Sequence, residues 1–242
     1  MEKRKIICFD VDDTLYERSQ PFVRACKELL APKFELDWHA LFKKRNYYAD
    51  VCFEDEASGR ISKEEMYLFR ISQALADFGK EISDGEILKF EERYAYFQHH
   101  ISITPGMDQL LDLLVEKEIP VGIVTNGPSA RQRVKINALD LGKWIPEKCW
   151  CVSGDYQTCK PHKEMFEISA AKLQEAYGNQ ELDFWYVGDN YSNDVIGPKN
   201  AGWKVIWYCT TEEAKKKHAA DEIQPDYICS NAQEIIQILE SE

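Results

Sequence analysis

Phe9-Asp10-Val11-Asp12-Asp13-Thr14-Leu15 follows directly on the apolar run Ile6-Ile7-Cys8. Two carboxylates therefore stand two residues apart, where a buried strand gives way to a turn. A carboxylate beside apolar surface is costly unless something positive meets it. In extended chain Asp10 and Asp12 project from the same side. One is then placed to attack or to ligate while the other moves a proton, a pairing that suits metal and phosphate.

Beyond Asp13 the pattern changes. From about Arg18 to His100 the chain reads as helical throughout. Ser62-Lys63-Glu64-Glu65 is a capping box, opening a helix with Leu68, Ile71, Leu75 and Phe78 on its apolar side and Gly79 as its stop. A second helix starts near Ser83 and carries Ile87, Phe90, Tyr94 and Phe97 on one face. Two earlier helices cover Pro21 to Leu30 and Asp37 to Val51. These aromatic stripes read as core packing.

After Ile101 helix and strand alternate. Thr104-Pro105-Gly106 opens a helix with Pro at its first position, buried through Met107, Leu110, Leu111 and Leu114. Strands are expected at 120–124, 150–152, 184–187, 203–208 and 227–229. Helices are expected at 129–138, 162–177, 192–201 and 232–239. Such alternation means right-handed crossovers and a parallel sheet. The expected fold is α/β, a doubly wound parallel sheet with an inserted helical segment. Residues 1–17 and 101–242 form its core and 18–100 the insertion.

Composition narrows the function. A chain of 242 residues with 44% apolar content is globular and exceeds the usual single domain. Its net charge of -12 opposes nucleic-acid backbones and anionic membranes but does not forbid a small phosphorylated metabolite as partner, because a metal and a lysine can dominate a pocket. Neither a signal core nor a membrane-length apolar run is visible. The eight cysteines read as reduced thiols, which points to the cytoplasm.

In open parallel sheets ligands sit beyond the carboxyl ends of the strands. Those ends carry Asp10 and Asp12, then Thr125-Asn126-Gly127, then Lys160-Pro161, then Gly188-Asp189 through Asp194. Carboxylates, a hydroxyl, an ammonium and tight backbone turns would converge on one crevice, a set suited to phosphoryl transfer.

These four segments, in this order and spacing, resemble the haloacid dehalogenase-like (HAD) superfamily. Its members carry Asp-x-Asp-x-Thr after the first strand, Thr or Ser after the second, a later Lys, and a Gly-Asp…Asp motif after the fourth. The resemblance covers nearly the whole chain, and the helical insertion looks like the cap of that family. It implies a Rossmann-like core and a Mg²⁺-dependent phosphatase. By position, Asp10 would be the nucleophile that becomes an aspartyl-phosphate. Asp12 would be the general acid and base, and its backbone carbonyl would join Asp10 and Asp189 on the metal. Asp194 would ligate directly, through water, or orient Lys160. Thr125 with the amides of Asn126 and Gly127 would hold the phosphoryl oxygens, and Lys160 would neutralise them.

The resemblance also implies alternatives. Dehalogenases of the superfamily lack a carboxylate at Asp12, and phosphosugar mutases usually have Gly at Asp13. A non-catalytic binding or regulatory role is the alternative of a different class. A calcium loop at Asp10–Thr14 fails, because Leu15 and Pro21 stand where Gly and Glu are needed. A zinc cluster of Cys149, Cys151, Cys159 and His162 gives way to cysteines facing one side of a core. His99-His100 reads as a hinge or solvated pair and Lys215 to Lys217 as a solvated run. Tyr16, Tyr47, Tyr48 and Arg70 of the insertion are candidates either for reading substrate or for packing.

Overall fold

The computed structural model describes residues 4–52, 55, 56, 58–178 and 181–242. The chain divides into two compact units, one of Met1–Glu17 with Ser102–Glu242, the other of Arg18–Ile101.

The first unit is built on six parallel strands in the order β3-β2-β1-β4-β5-β6. They are β1 (Arg4–Phe9), β2 (Val121–Thr125), β3 (Trp150–Val152), β4 (Leu182–Gly188), β5 (Lys204–Tyr208) and β6 (Tyr227–Cys229). β1 sits in the middle, and Ile6, Ile7, Cys8 and Phe9 have no exposed surface. A strand buried on both faces reads as a continuous apolar run, which is why Ile6–Phe9 does not alternate. Phe9 is in register with Ile123 of β2 and Val187 of β4, so these three strands end together. Asp10, Thr125 and Asp189 all lie at that end.

Helices cover the sheet. Met107–Glu116 buries Met107, Leu110, Leu111 and Leu114. Each such side chain taken from water is worth about 1.5–3 kcal/mol. This helix begins two residues later than its Pro105 suggests. Gly106 is the N-cap with φ of 83°, a left-handed conformation that cannot belong to the helix, so Pro105 stands in the preceding turn. The expected helix over 192–201 is likewise not one piece. A π-helical turn, Tyr191–Ile196, runs into a short α-helix, Gly197–Asn200. The Asn190 side chain accepts from the Asn193 amide, and the Asp194 carboxylate accepts from the Asn190 amide at 2.9 Å, which tightens the entry. A short helix at Glu212–His218 carries Lys215–Lys217 in its exposed last turn. Thr211 caps it, and its charges follow the helix dipole.

The second unit contains helices Gln20–Leu29, Trp38–Val51, Lys63–Ala76 and Asp84–Gln98. Ser62 and Glu65 form the expected reciprocal cap, and Ser83 with Glu86 forms another. Phe22 is fully buried, its ring 5.4 Å from Phe42, 5.2 Å from Phe90 and 5.7 Å from Tyr94. The aromatic stripes are core. Arg70 is also inside, donating to both oxygens of Glu91 at 3.2 and 2.6 Å, so it is spent on packing. Tyr48 donates to Asp77, while Tyr47 is 60% exposed. His100 stacks on Tyr96 at 4.1 Å.

Candidate active site

At the carboxyl end of β1 the chain turns back sharply. Asp13 takes a φ of 59°, tolerable for Asp, and its amide donates to the Tyr16 carbonyl at 2.8 Å. Asp10 thus remains beneath the turn while Tyr16 returns beside Asp12. Tyr16 therefore belongs to the sheet unit, not to the helical insertion.

Lys160 is the hub of the buried set. Its Nζ lies 2.9 Å from Asp10 and 2.7 Å from Asp194, and it donates to the Tyr186 hydroxyl at 2.9 Å. Tyr186 in turn donates to the Val124 carbonyl at 2.6 Å. The Lys160 backbone is tied to Asn126 in both directions, at 2.8 and 2.9 Å. Burial alone would drive Lys160 toward neutrality, but Asp10 and Asp194 outweigh it and raise its pKa. Burial also pushes Asp10 up, to about 6; Lys160 opposes this, while Asp194 and Asp12 add to it. Asp194 is fully buried and packs so closely that any side chain at Gly188 would meet it at 2.5 Å.

Asp10, Asp189 and Asp194 each bring a carboxylate oxygen within 4.8 Å of the others. Three convergent hard oxygen donors fit Mg²⁺ chemistry. Asp189 is held by two neighbours: the Trp207 indole donates to its carbonyl at 2.7 Å, and Thr14 donates to its carboxylate at 3.5 Å. The Asp12 carboxylate stands apart from that group and accepts from Tyr16, Lys135 and Gln132. Burial pushes its pKa up, but Lys135 and the two neutral donors prevail and hold it below the ordinary carboxylate range.

At the end of β2, Thr125 is fully buried and accepts from Gln132 at 3.0 Å, leaving its own proton to donate. The Gly127 amide does not face the crevice as expected. With φ of 143° it turns to donate to Ser153 at 3.0 Å. Cys149 and Cys151 are buried, Cys149 in the turn just before β3, while Cys159 is exposed. Burial above all raises the Cys8 and Cys151 thiols, so these sulfurs are poor nucleophiles.

This arrangement has close parallels. The family model for haloacid dehalogenase-like hydrolases matches residues 4–202. The chain belongs to that family. It is 27% identical over 240 residues to the pyrimidine 5'-nucleotidase PynA of Streptococcus pneumoniae, covering 98% of this chain and 95% of that one. It is 23% identical over 252 residues to a glyceraldehyde 3-phosphate phosphatase of Pyrococcus furiosus, covering 100% and 95%. With these relatives the chain is a phosphatase-type hydrolase of the family. Its fold is shared with an L-2-haloacid dehalogenase from Xanthobacter autotrophicus at TM-score 0.62, 16% identity, covering 98% of this chain and 99% of the other. It is shared equally with a HAD phosphatase from Thermococcus onnurineus at TM-score 0.58, 20% identity and the same coverage. One fold carrying both reactions leaves the decision to side chains.

The carboxylates, Thr125, Asn126 and Lys160 singled out by the sequence come together at the strand ends. The sequence alone did not single out Gln132, Lys135, Tyr186 and Trp207, which hold those groups. The faint signal for two of them is spacing: Gln132 and Lys135 share a face of the helix that opens just after Gly127.

Proposed function

We propose that the protein hydrolyses a small phosphorylated metabolite, such as a nucleoside monophosphate, a sugar phosphate or a sugar-acid phosphate, through a phosphoryl-Asp10 intermediate. The observation that carries this reading is the buried Asp10–Lys160–Asp194 contact at the end of β1, with Asp189 alongside. A buried charged cluster is costly, and here it converges on one carboxylate at the place where parallel sheets bind ligands. The nucleotidase and the sugar-phosphate phosphatase among the relatives support the substrate class.

A divalent cation, Mg²⁺ by the donor set, would be held by Asp10, Asp189, Asp194 and the Asp12 carbonyl, and would supply charge that offsets repulsion between carboxylate and phosphate. An Asp10 oxygen attacks phosphorus, and the bond to the leaving oxygen breaks with its electron pair on that oxygen. Asp12 gives the leaving oxygen a proton from its protonated form, a minority at neutral pH because burial raises its pKa less than Lys135 holds it down. Water then attacks the phosphorus, Asp12 takes a proton back from it, and the P–O bond to Asp10 breaks. Thr125 and the Asn126 amide hold the phosphoryl oxygens, while Lys160 neutralises them and fixes Asp10. Asp12 favours this chemistry over halide displacement, which needs no acid. The helical unit corresponds to the cap that the family resemblance implies, and the setting is cytoplasmic.

The test is phosphate release from a panel of such metabolites with and without Mg²⁺, beside Asp10→Asn. Metal-dependent release that disappears in the variant is the expected result. Full turnover in Asp10→Asn would reject the nucleophile, and silence across the panel would favour a binding role.

A further inference from the structure

We infer that Gln132 and Lys135 are positioning residues that lock the acid–base carboxyl of Asp12 and the Thr125 hydroxyl into one relative geometry; this rests on the proposed phosphoryl transfer.

The helix Ser129–Ala138 follows β2, and its residues 132 and 135 lie on one face. Gln132 is 1% exposed, and its single amide nitrogen is 3.0 Å from Asp12 Oδ2, 3.0 Å from Thr125 Oγ1 and in contact with the Asn126 carbonyl. One side chain therefore connects the end of β1 to the end of β2, at the two groups assigned to the leaving oxygen and the phosphoryl oxygens. Lys135 completes the hold, its Nζ 2.7 Å from each oxygen of Asp12.

The other end of Gln132 makes the case. Its Oε1 is buried and has no hydrogen-bond partner among the described residues. A buried acceptor without a donor is destabilising, and that cost is borne here by the side chain whose NH₂ group reaches Asp12, Thr125 and the Asn126 carbonyl. What Gln132 adds is the direction of its NH₂ group.

Donation from Gln132 to Thr125 Oγ1 also directs the hydroxyl proton away from the helix, leaving it for a phosphoryl oxygen. On Asp12, Gln132 and Lys135 meet one oxygen while Tyr16 and Lys135 meet the other, so the carboxyl plane is defined from both ends. A carboxyl free to rotate would still allow attack at phosphorus, but it would protonate a poor leaving group badly. Losing the hold should therefore hurt alkyl phosphates far more than p-nitrophenyl phosphate, whose leaving group needs little protonation.

The experiment compares Gln132→Met and Lys135→Met with the parent protein on ethyl phosphate and p-nitrophenyl phosphate, with Asp10→Asn alongside. The expected result is a kcat loss on ethyl phosphate about ten- to a hundredfold larger than the loss on p-nitrophenyl phosphate, with KM nearly unchanged. Lys135→Arg should restore much of the ratio. Equal losses on the two substrates would mean a merely structural role and overturn the inference, as would no loss. If Gln132→Met fails to fold, the Lys135 variants decide by the same ratio. Turnover surviving in Asp10→Asn would instead overturn the covalent reading, a separate outcome.

Discussion

The two units treat polar groups in opposite ways. In the helical unit the interior is aromatic and aliphatic, and most charge is spent outside, on caps such as Ser62 with Glu65 and Ser83 with Glu86. Its buried Arg70 and Glu91 pair with each other, Arg70 also lies over the Tyr67 ring, and the third buried charge, Arg45, packs over Tyr94. In the sheet unit, Asp10, Lys160 and Asp194 are buried where three strands end, with Thr125 and Gln132 beside them. Charge buried within one closed pair is architecture. Charge that converges from several strand ends on one carboxylate is the arrangement that the proposed phosphoryl transfer needs.

Four interventions sharpen this contrast. Lys160→Met should give the largest effect, because it leaves Asp10 and Asp194 buried together without a cation. We expect turnover to fall about a thousandfold and stability by about 3–5 kcal/mol, read by steady-state kinetics and urea unfolding. Wild-type stability and rate in that variant would erase the distinction between the units. Removal of divalent metal with a chelator should abolish turnover, and Mg²⁺ should restore it, whereas Lys160→Met should not recover with any metal concentration.

The helical unit should respond differently. Arg70→Met alone strands Glu91 and should cost about 3–5 kcal/mol, while Arg70→Met with Glu91→Leu should regain most of that in urea unfolding. If the double variant is as damaged as the single one, the pair is more than architecture. The smallest effect lies at the surface. Lys33 beside Glu86, with the Ser83 cap, depresses the Glu86 pKa from 4.5 to about 2. A depressed carboxyl stabilises the fold above its unfolded pKa, so that stability is fully present above about pH 4.5 and is lost as pH falls toward about 2. Glu86→Gln should flatten a small part of this acid loss, and added salt should weaken it in the parent protein.

What was legible in the sequence was local. Ile6–Phe9 announces a buried central strand because every residue is apolar, and Ser62 and Ser83 announce helix starts because their partners lie three residues away. Pro105 misled because Gly106, not Pro, governs the backbone there through its left-handed φ. The stretch after Asn190 misled because a tertiary demand, holding Asp194 against Lys160, accompanies a π-turn where the side-chain pattern is helical. Gln132 and Lys135 left only a faint signal, their shared helix face, because Asp12, the group they hold, is 120 and 123 residues away in sequence. The groups proposed to react could be picked out from motif spacing, but their supports could not, since any polar residue on the correct helix face would look the same.

The covalent step is tested most directly by quenching a turnover reaction in acid within milliseconds and mapping the trapped phosphoryl group by mass spectrometry. The expected result is one phosphoryl group on the peptide that contains Asp10, formed with substrate, absent in Asp10→Asn, and labile to hydroxylamine. A phosphoryl group on another residue, or none while phosphate is released at full rate, would contradict nucleophilic attack by Asp10.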